Sequence, residues 1–243
     1  MKLLLPLLTI ALLATLAPVA HAELMRISYQ IDGLPQVQCG LVPMAGPISC
    51  PNVVLPLDIS QLGADSNSPG ASTFANLTSS TVDLINPGTT SLALNIVIYA
   101  QDFTMPTGAG FLFSNVGGTV LPPGTASDLT FISCIDPLNR AIDTSVNGGS
   151  CPAGSIASTQ STPNITNPGV FSQPQLQAVI VPAGKFALDE TFKFNLAPGA
   201  HLNWSASTAV LTQIPEPTSS ILVLVGTGLL GLGVLARKRL IRN

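Results

Sequence analysis

Charge is the scarcest property of this 243-residue chain: Asp, Glu, Lys and Arg together make up 9% of it. Between positions 23 and 214 the cations are Arg26, Arg140, Lys185 and Lys193, set against eleven carboxylates, a balance of −7. Four dispersed cations cannot form a basic patch, which argues against nucleic acid and anionic lipid faces as partners of this stretch. Histidine is limited to His21 and His201. No Gly-x-Ser-x-Gly elbow is present, and no Gly-x-Gly-x-x-Gly or phosphate loop follows a strand pattern, so the sequence signs of serine hydrolases and nucleotide-binding enzymes are missing. Cysteine is limited to four, without a Cys-x2-Cys knuckle, and a zinc site would have only His201 to assist it. Between the two ends of the chain, no capped 3.6-residue period is long enough to specify a helix.

What is present concentrates first at those ends. Met1-Lys2, the apolar run from Leu3 to Ala17 and Ala20-His21-Ala22 have the layout of a secretory signal peptide over 1–22, with cleavage after Ala22 leaving Glu23 in front. Pro6 and Pro18 interrupt a run already short for a permanent span. At the other end, Pro215-Glu216-Pro217 leads into a stretch without ionisable residues from Pro217 to Ala236, followed by Arg237, Lys238, Arg239 and Arg242. About 20 residues at a 1.5 Å rise cover the roughly 30 Å hydrocarbon layer, so residues 218–236 are expected to form a transmembrane helix. The cations hold the 237–243 end in the cytoplasm and the preceding domain outside. Two prolines cannot both sit inside a regular helix, which leaves the triplet as an extended, accessible hinge.

The triplet, the series Gly226, Gly228, Gly231 and Gly233 within a Leu/Val helix, and the terminal Arg/Lys cluster together resemble the PEP-CTERM sorting domain over the last 29 residues. The resemblance implies a substrate of an exosortase, a membrane-embedded processing enzyme of Gram-negative bacteria. It also implies passage through the secretion translocon, a precursor anchored in the inner membrane, and delivery to the cell surface or extracellular matrix. An ordinary single-span anchor is the plainer reading of the same residues.

Residues 23–214 suit one domain. Their dominant period is two: Met25, Ile27, Tyr29 and Ile31 alternate with Arg26, Ser28 and Gln30, and Leu92, Leu94, Ile96 and Ile98 with Ala93, Asn95, Val97 and Tyr99. Phe192, Phe194 and Leu196 alternate likewise, and further strands are expected at 81–85, 110–116, 128–135, 176–181 and 205–212. Reversals with Pro at one turn position and Gly near it recur at Pro69-Gly70, Pro87-Gly88, Pro122-Pro123-Gly124, Pro168-Gly169, Pro182-Ala183-Gly184 and Pro198-Gly199. The fold class expected is all-β, an antiparallel β-sandwich of Ig-like or jelly-roll type. The weakly patterned segments Leu34–Pro69 and Ile142–Pro174 are expected as long loops.

Cys39, Cys50, Cys134 and Cys151 allow three disulfide connectivities. An oxidising compartment favours disulfides over thiols, and pairing Cys39 with Cys50 and Cys134 with Cys151 is the simplest choice, each pair closing a Pro- or Gly-rich loop.

Sites that could carry chemistry are few. His201 lies at the turn entering the last strand without a visible nucleophile. Asp189-Glu190 cannot flank one glycosidic bond, since adjacent strand residues point to opposite faces, and reads as a solvated turn between Phe186 and Phe192. Asp136, Asn139, Asp143 and Asn147 supply oxygen atoms within the Cys134-to-Cys151 loop and are the weak candidates for calcium. Trp204 with Tyr29 and Tyr99 could stack on sugars, although strand aromatics more often fill a core. Asn76, Asn164 and Asn203 begin glycosylation triplets that a Ser/Thr/Asn-rich chain produces by chance. The function expected is therefore non-enzymatic and cofactor-free: an exported surface or matrix protein with exopolysaccharide as a further partner. An adhesin-like carbohydrate- or calcium-binding module, and a secreted hydrolase with an unrecognised site, are the alternatives.

Overall fold

The computed structural model describes residues 24–39, 47–51, 56–121, 126–142, 150–161 and 169–212. The expected signal peptide with its Ala22/Glu23 junction, the Pro215-Glu216-Pro217 triplet, the span and the basic end all lie outside the described residues, as do Asp143 and Asn147. The chain divides into two compact units, 1–212 and 213–243; the first carries all the strands described.

Those strands are β1 (Met25–Ile31), β2 (Val37–Cys39), β3 (Ile48–Cys50), β4 (Asp58–Ser66), β5 (Phe74–Ile85) and β6 (Leu92–Phe103). The second half adds β7 (Gly108–Leu121), β8 (Ala126–Asp136), β9 (Ile156–Ser161), β10 (Gly169–Val181), β11 (Phe186–Leu196) and β12 (His201–Thr212). They form two six-stranded sheets, β2-β1-β6-β11-β8-β9 and β10-β7-β12-β5-β4-β3. Every ladder is antiparallel. The expected all-β class and two-sheet sandwich are thus observed. From β5 to β8 each strand lies in the opposite sheet from the one before, and β10, β11 and β12 alternate again.

The period-two pattern reports the inward face of β1 well, although Ser28 on its other face is buried too. Met25, Ile27, Tyr29 and Ile31 of β1 point inward and are buried, facing Ala100, Ile98, Ile96 and Leu94 across the ladder. It fails where both faces are covered. On β6, Leu94, Ile96, Ile98 and Ala100 join the main core, while Val97 and Tyr99 on the opposite face form a second small cluster under Ile142 and Leu24. The Arg26 guanidinium lies 5.8 Å from the Tyr99 ring centre on that face.

One expectation is corrected. The segments read as long loops contain β2, β3 and β4 in the first case and β9 and the first half of β10 in the second. In β4 the spacing of three between buried Ile59 and buried Leu62 breaks the alternation, and in β10 the run Ser172 to Gln175 offers no apolar repeat. For Trp204, Tyr29 and Tyr99 the plainer reading, that strand aromatics fill the core, is the one observed. They are interior residues, with the Trp204 ring tilted against Phe192 at 4.1 Å between centroids, and Phe192 4.7 Å from Phe131, and so provide no sugar platform.

Candidate functional site

The interior contains a polar seam. Ser79 on β5, Ser114 on β7, Ser133 on β8, Glu190 on β11 and Thr208 on β12 all occupy inward positions between the sheets and are buried. Ser133 Oγ lies 2.7 Å from both Ser114 Oγ and Thr208 Oγ1, and the Ser79 hydroxyl donates to Glu190 Oε2. Burial pushes the Glu190 carboxyl up to about 8, against the pull of hydrogen bonds from Ser79 and Thr208. Glu190 is therefore protonated at neutral pH, which removes the charge that a dry interior cannot hold.

Asp189 points the other way, into the covered outer face of the first sheet, opposite Tyr99 and Cys134 in the ladders. It too is 0% exposed, and neither carboxyl oxygen has a hydrogen-bond partner. Burial raises its pKa well above the carboxylate range, the Asp136 charge adds to the rise and Arg140 opposes it. The expected solvated turn is thus wrong: Asp189-Glu190 lies in a central strand covered on both faces, and the two carboxyls do diverge to opposite faces. Neither is reachable by a substrate, and the seam contains no histidine, so this arrangement supports no general acid or base chemistry.

The Asp136 and Asn139 oxygens, candidates for calcium, are engaged by protein donors instead. Asp136 accepts from Arg140 Nη2 at 2.8 Å, Arg140 Nε at 3.0 Å and the N–H groups of Leu138 and Arg140 at 3.2 and 2.8 Å. Burial alone would raise the Asp136 carboxyl, but the Arg140 hydrogen bonds and charge, with the Leu138 N–H, hold it below its ordinary value. Arg140 also donates to the Ala153 carbonyl at 2.8 Å, tying the start of this loop to its end. Asn139, at φ 53°, donates through Nδ2 to Asp102 Oδ1 and accepts from the Asp102 N–H, both at 2.9 Å. These groups brace a loop. Among the described residues no group of three His, Cys, Asp or Glu side chains could hold a metal ion. His201 opens β12, opposite Ile85 and Leu121.

The cysteines pair locally, Cys39 with Cys50 and Cys134 with Cys151, at Cα separations of 5.3 and 5.8 Å. The first bond joins β2 to β3, the edge strands of opposite sheets, and so closes one side of the sandwich. The second anchors the braced loop to β8. Replacing Cys134 and Cys151 together by Ser is expected to cost about 3 kcal/mol, the loop-closure value for a ring of this size, and denaturant unfolding of the variant measures it.

On the outer face of the second sheet runs a groove of about 620 Å³ whose polar walls are Ser49, Gln61, Asp65, Thr78, Ser80 and Ser205. A shallower hollow of about 420 Å³ continues past Ser80 and Ser205 to Thr119 and Asn203. The seam and the groove were not anticipated. The only sign of the seam in the sequence is hydroxyl residues at inward positions of otherwise apolar alternations, as in Phe131-x-Ser133-x-Ile135 and Ala206-x-Thr208-x-Val210.

Residues 213–239 match the family model of the PEP-CTERM protein-sorting motif. No curated protein matches the chain. Among solved structures, the structure of TmCBM61 in complex with beta-1,4-galactotriose is similar at 7% identity, covering 63% of this chain and 88% of that chain, with a TM-score of 0.26. A likeness at that level carries no argument about ligand or mechanism. The tail match agrees with the resemblance of the triplet, span and basic end, and it marks the chain as an exported protein addressed by a sorting signal.

Proposed function

We propose that this chain is a non-enzymatic surface or extracellular-matrix protein, a jelly-roll β-sandwich cut from a membrane-anchored precursor by an exosortase-type enzyme. The sorting motif at residues 213–239 carries this reading. The body supports it by the placement of three carboxyls: Asp189 and Glu190 are buried out of a substrate's reach, and Asp136 is engaged by Arg140 in bracing a loop. Mass spectrometry of the extracellular protein tests it. The N-terminus is expected at Glu23 and the C-terminus upstream of the 218–236 span. An extracellular form that still ends at Asn243 would make the protein a single-span anchored one. Ester, glycoside and peptide substrates should be turned over at background rates; turnover abolished by His201→Ala would establish the hydrolase alternative.

One observation favours a second reading, polysaccharide binding on the outer face of the second sheet. The groove there presents hydroxyl, amide and carboxylate groups without a cation, a lining suited to neutral sugar hydroxyls. Retention of the wild-type protein on neutral polysaccharide, and loss of that retention in Gln61→Ala and Asp65→Ala, would support it.

A further inference from the structure

A two-sheet sandwich has four edges, and three of them are protected here by brevity. β2 and β3 are three residues long and are joined by the Cys39–Cys50 bond, and β9 has six. The fourth, β10, runs thirteen residues, and among the described residues nothing pairs with its outer side. Natural edges of this length are usually blunted with lysine or other charges. Gly169–Val181 contains no ionisable residue, and Val170, Leu176 and Ile180 on its outer face are 84, 61 and 71% exposed.

We propose that β10 is a self-association edge, at which two copies of this chain pair antiparallel about a two-fold axis through Gln175 and merge their second sheets into one. The occupant is indicated by the strand itself, whose hydropathy reads alike in both directions. About that axis Val170 meets Ile180 and Pro174 meets Leu176 on the outer face, while on the other face Gln173 meets Gln177 and Gln175, whose Oε1 accepts from Ser158 Oγ of β9 at 2.6 Å, meets its own copy through the amide nitrogen. Apolar groups thus face apolar ones and amides face amides, the pairings that stabilise a ladder. Centring the pair on Leu176 instead would set Ser172 against Ile180 and Gln173 against Val179. Pro174 removes one donor per copy, which an edge tolerates. Charge points the same way: two copies whose 23–214 bodies each carry −7 repel over most approaches, and this edge brings no charge to the contact. The resulting interface is isologous and closes at two copies. It is independent of the sorting reading.

Cysteine cross-linking of the full chain in mild detergent tests the register. Opposed residues of an antiparallel pair have Cβ atoms about 4.5–5.5 Å apart, within reach of a disulfide after small adjustment. Gln175→Cys is expected to give a covalent dimer on mild oxidation. Val170→Cys alone should not, because its copies lie about 30 Å apart along the ladder, whereas a mixture of Val170→Cys with Ile180→Cys should. The exposed pair Leu176→Lys and Ile180→Lys, introduced together into the Gln175→Cys chain, should lower the dimer yield about tenfold or more, through like charges brought together. Peptide mapping of the two native disulfides establishes that each variant is folded. A monomeric Gln175→Cys chain, or equal cross-linking of Gln175→Cys and Val170→Cys, would overturn the proposal, the latter assigning association to the tail or to random collision.

Discussion

Replacing Pro215-Glu216-Pro217 by three alanines is expected to stop release of the protein and to leave a longer form in the membrane fraction. Proline lacks an N–H and disfavours helix in the residue before it, so on the proposed reading the triplet is an extended, cleavable segment. Alanine, the strongest helix former, would let helix propagate from the adjacent span through the cleavable segment. On the same reading, the uncharged stretch up to Ala236 followed by Arg237, Lys238, Arg239 and Arg242 would set the height of the triplet against the bilayer, and a membrane-embedded enzyme would meet it at one depth. The effect should be close to all-or-none, because the uncut chain retains about 20 apolar residues whose extraction from lipid is prohibitive. Fractionation followed by mass spectrometry reads the result. An alanine variant recovered outside the cell with the wild-type C-terminus would show that the triplet is not recognised. Neutralising the four terminal cations is expected to act earlier, on retention and orientation of the precursor.

The folded body should lose stability as the pH rises from about 4.5 to 8, and Glu190→Gln should remove the Glu190 share of that loss. In the unfolded chain the Glu190 carboxyl titrates near its ordinary 4.5; in the folded protein it holds its proton to about 8. Its contribution is fully present below the lower value and is lost through the upper one. At about 1.4 kcal/mol per unit, the interval amounts to roughly 4–5 kcal/mol. Asp189, raised by burial, acts in the same direction. Asp136 acts oppositely: its folded pKa is lowered, so its contribution is present above its ordinary 3.8 and is lost as the pH falls through the folded value. Stability is therefore expected to peak in mildly acidic solution. Glutamine has the shape of the protonated acid and accepts from Ser79, so Glu190→Gln should match the wild type near pH 4.5 and exceed it increasingly towards pH 8. Denaturant midpoints across that range decide the matter, and parallel curves for the two proteins would place the titration elsewhere.

What the sequence determined by itself is whatever depends on neighbours along the chain. The sorting signal is a linear order of triplet, apolar run and cations. Strands such as β12 declare themselves because one face is open to solvent, so burial alternates with the pleat. The cysteine pairs are 11 and 17 residues apart, close enough for local closure to select them. Only the tertiary structure decided which strands are covered on both faces and which edge is left open. Asp189-Glu190 looks like a solvated turn until β11 is placed between β6 and β8 with a loop across its outer face. The contact that makes Glu190 a neutral acid joins it to Ser79, 111 residues away. The exposure of β10 depends likewise on where the sheet ends. Alternation along a strand states which residues share a face, but burial of that face, and pairing at its edge, are set by elements far off in the chain.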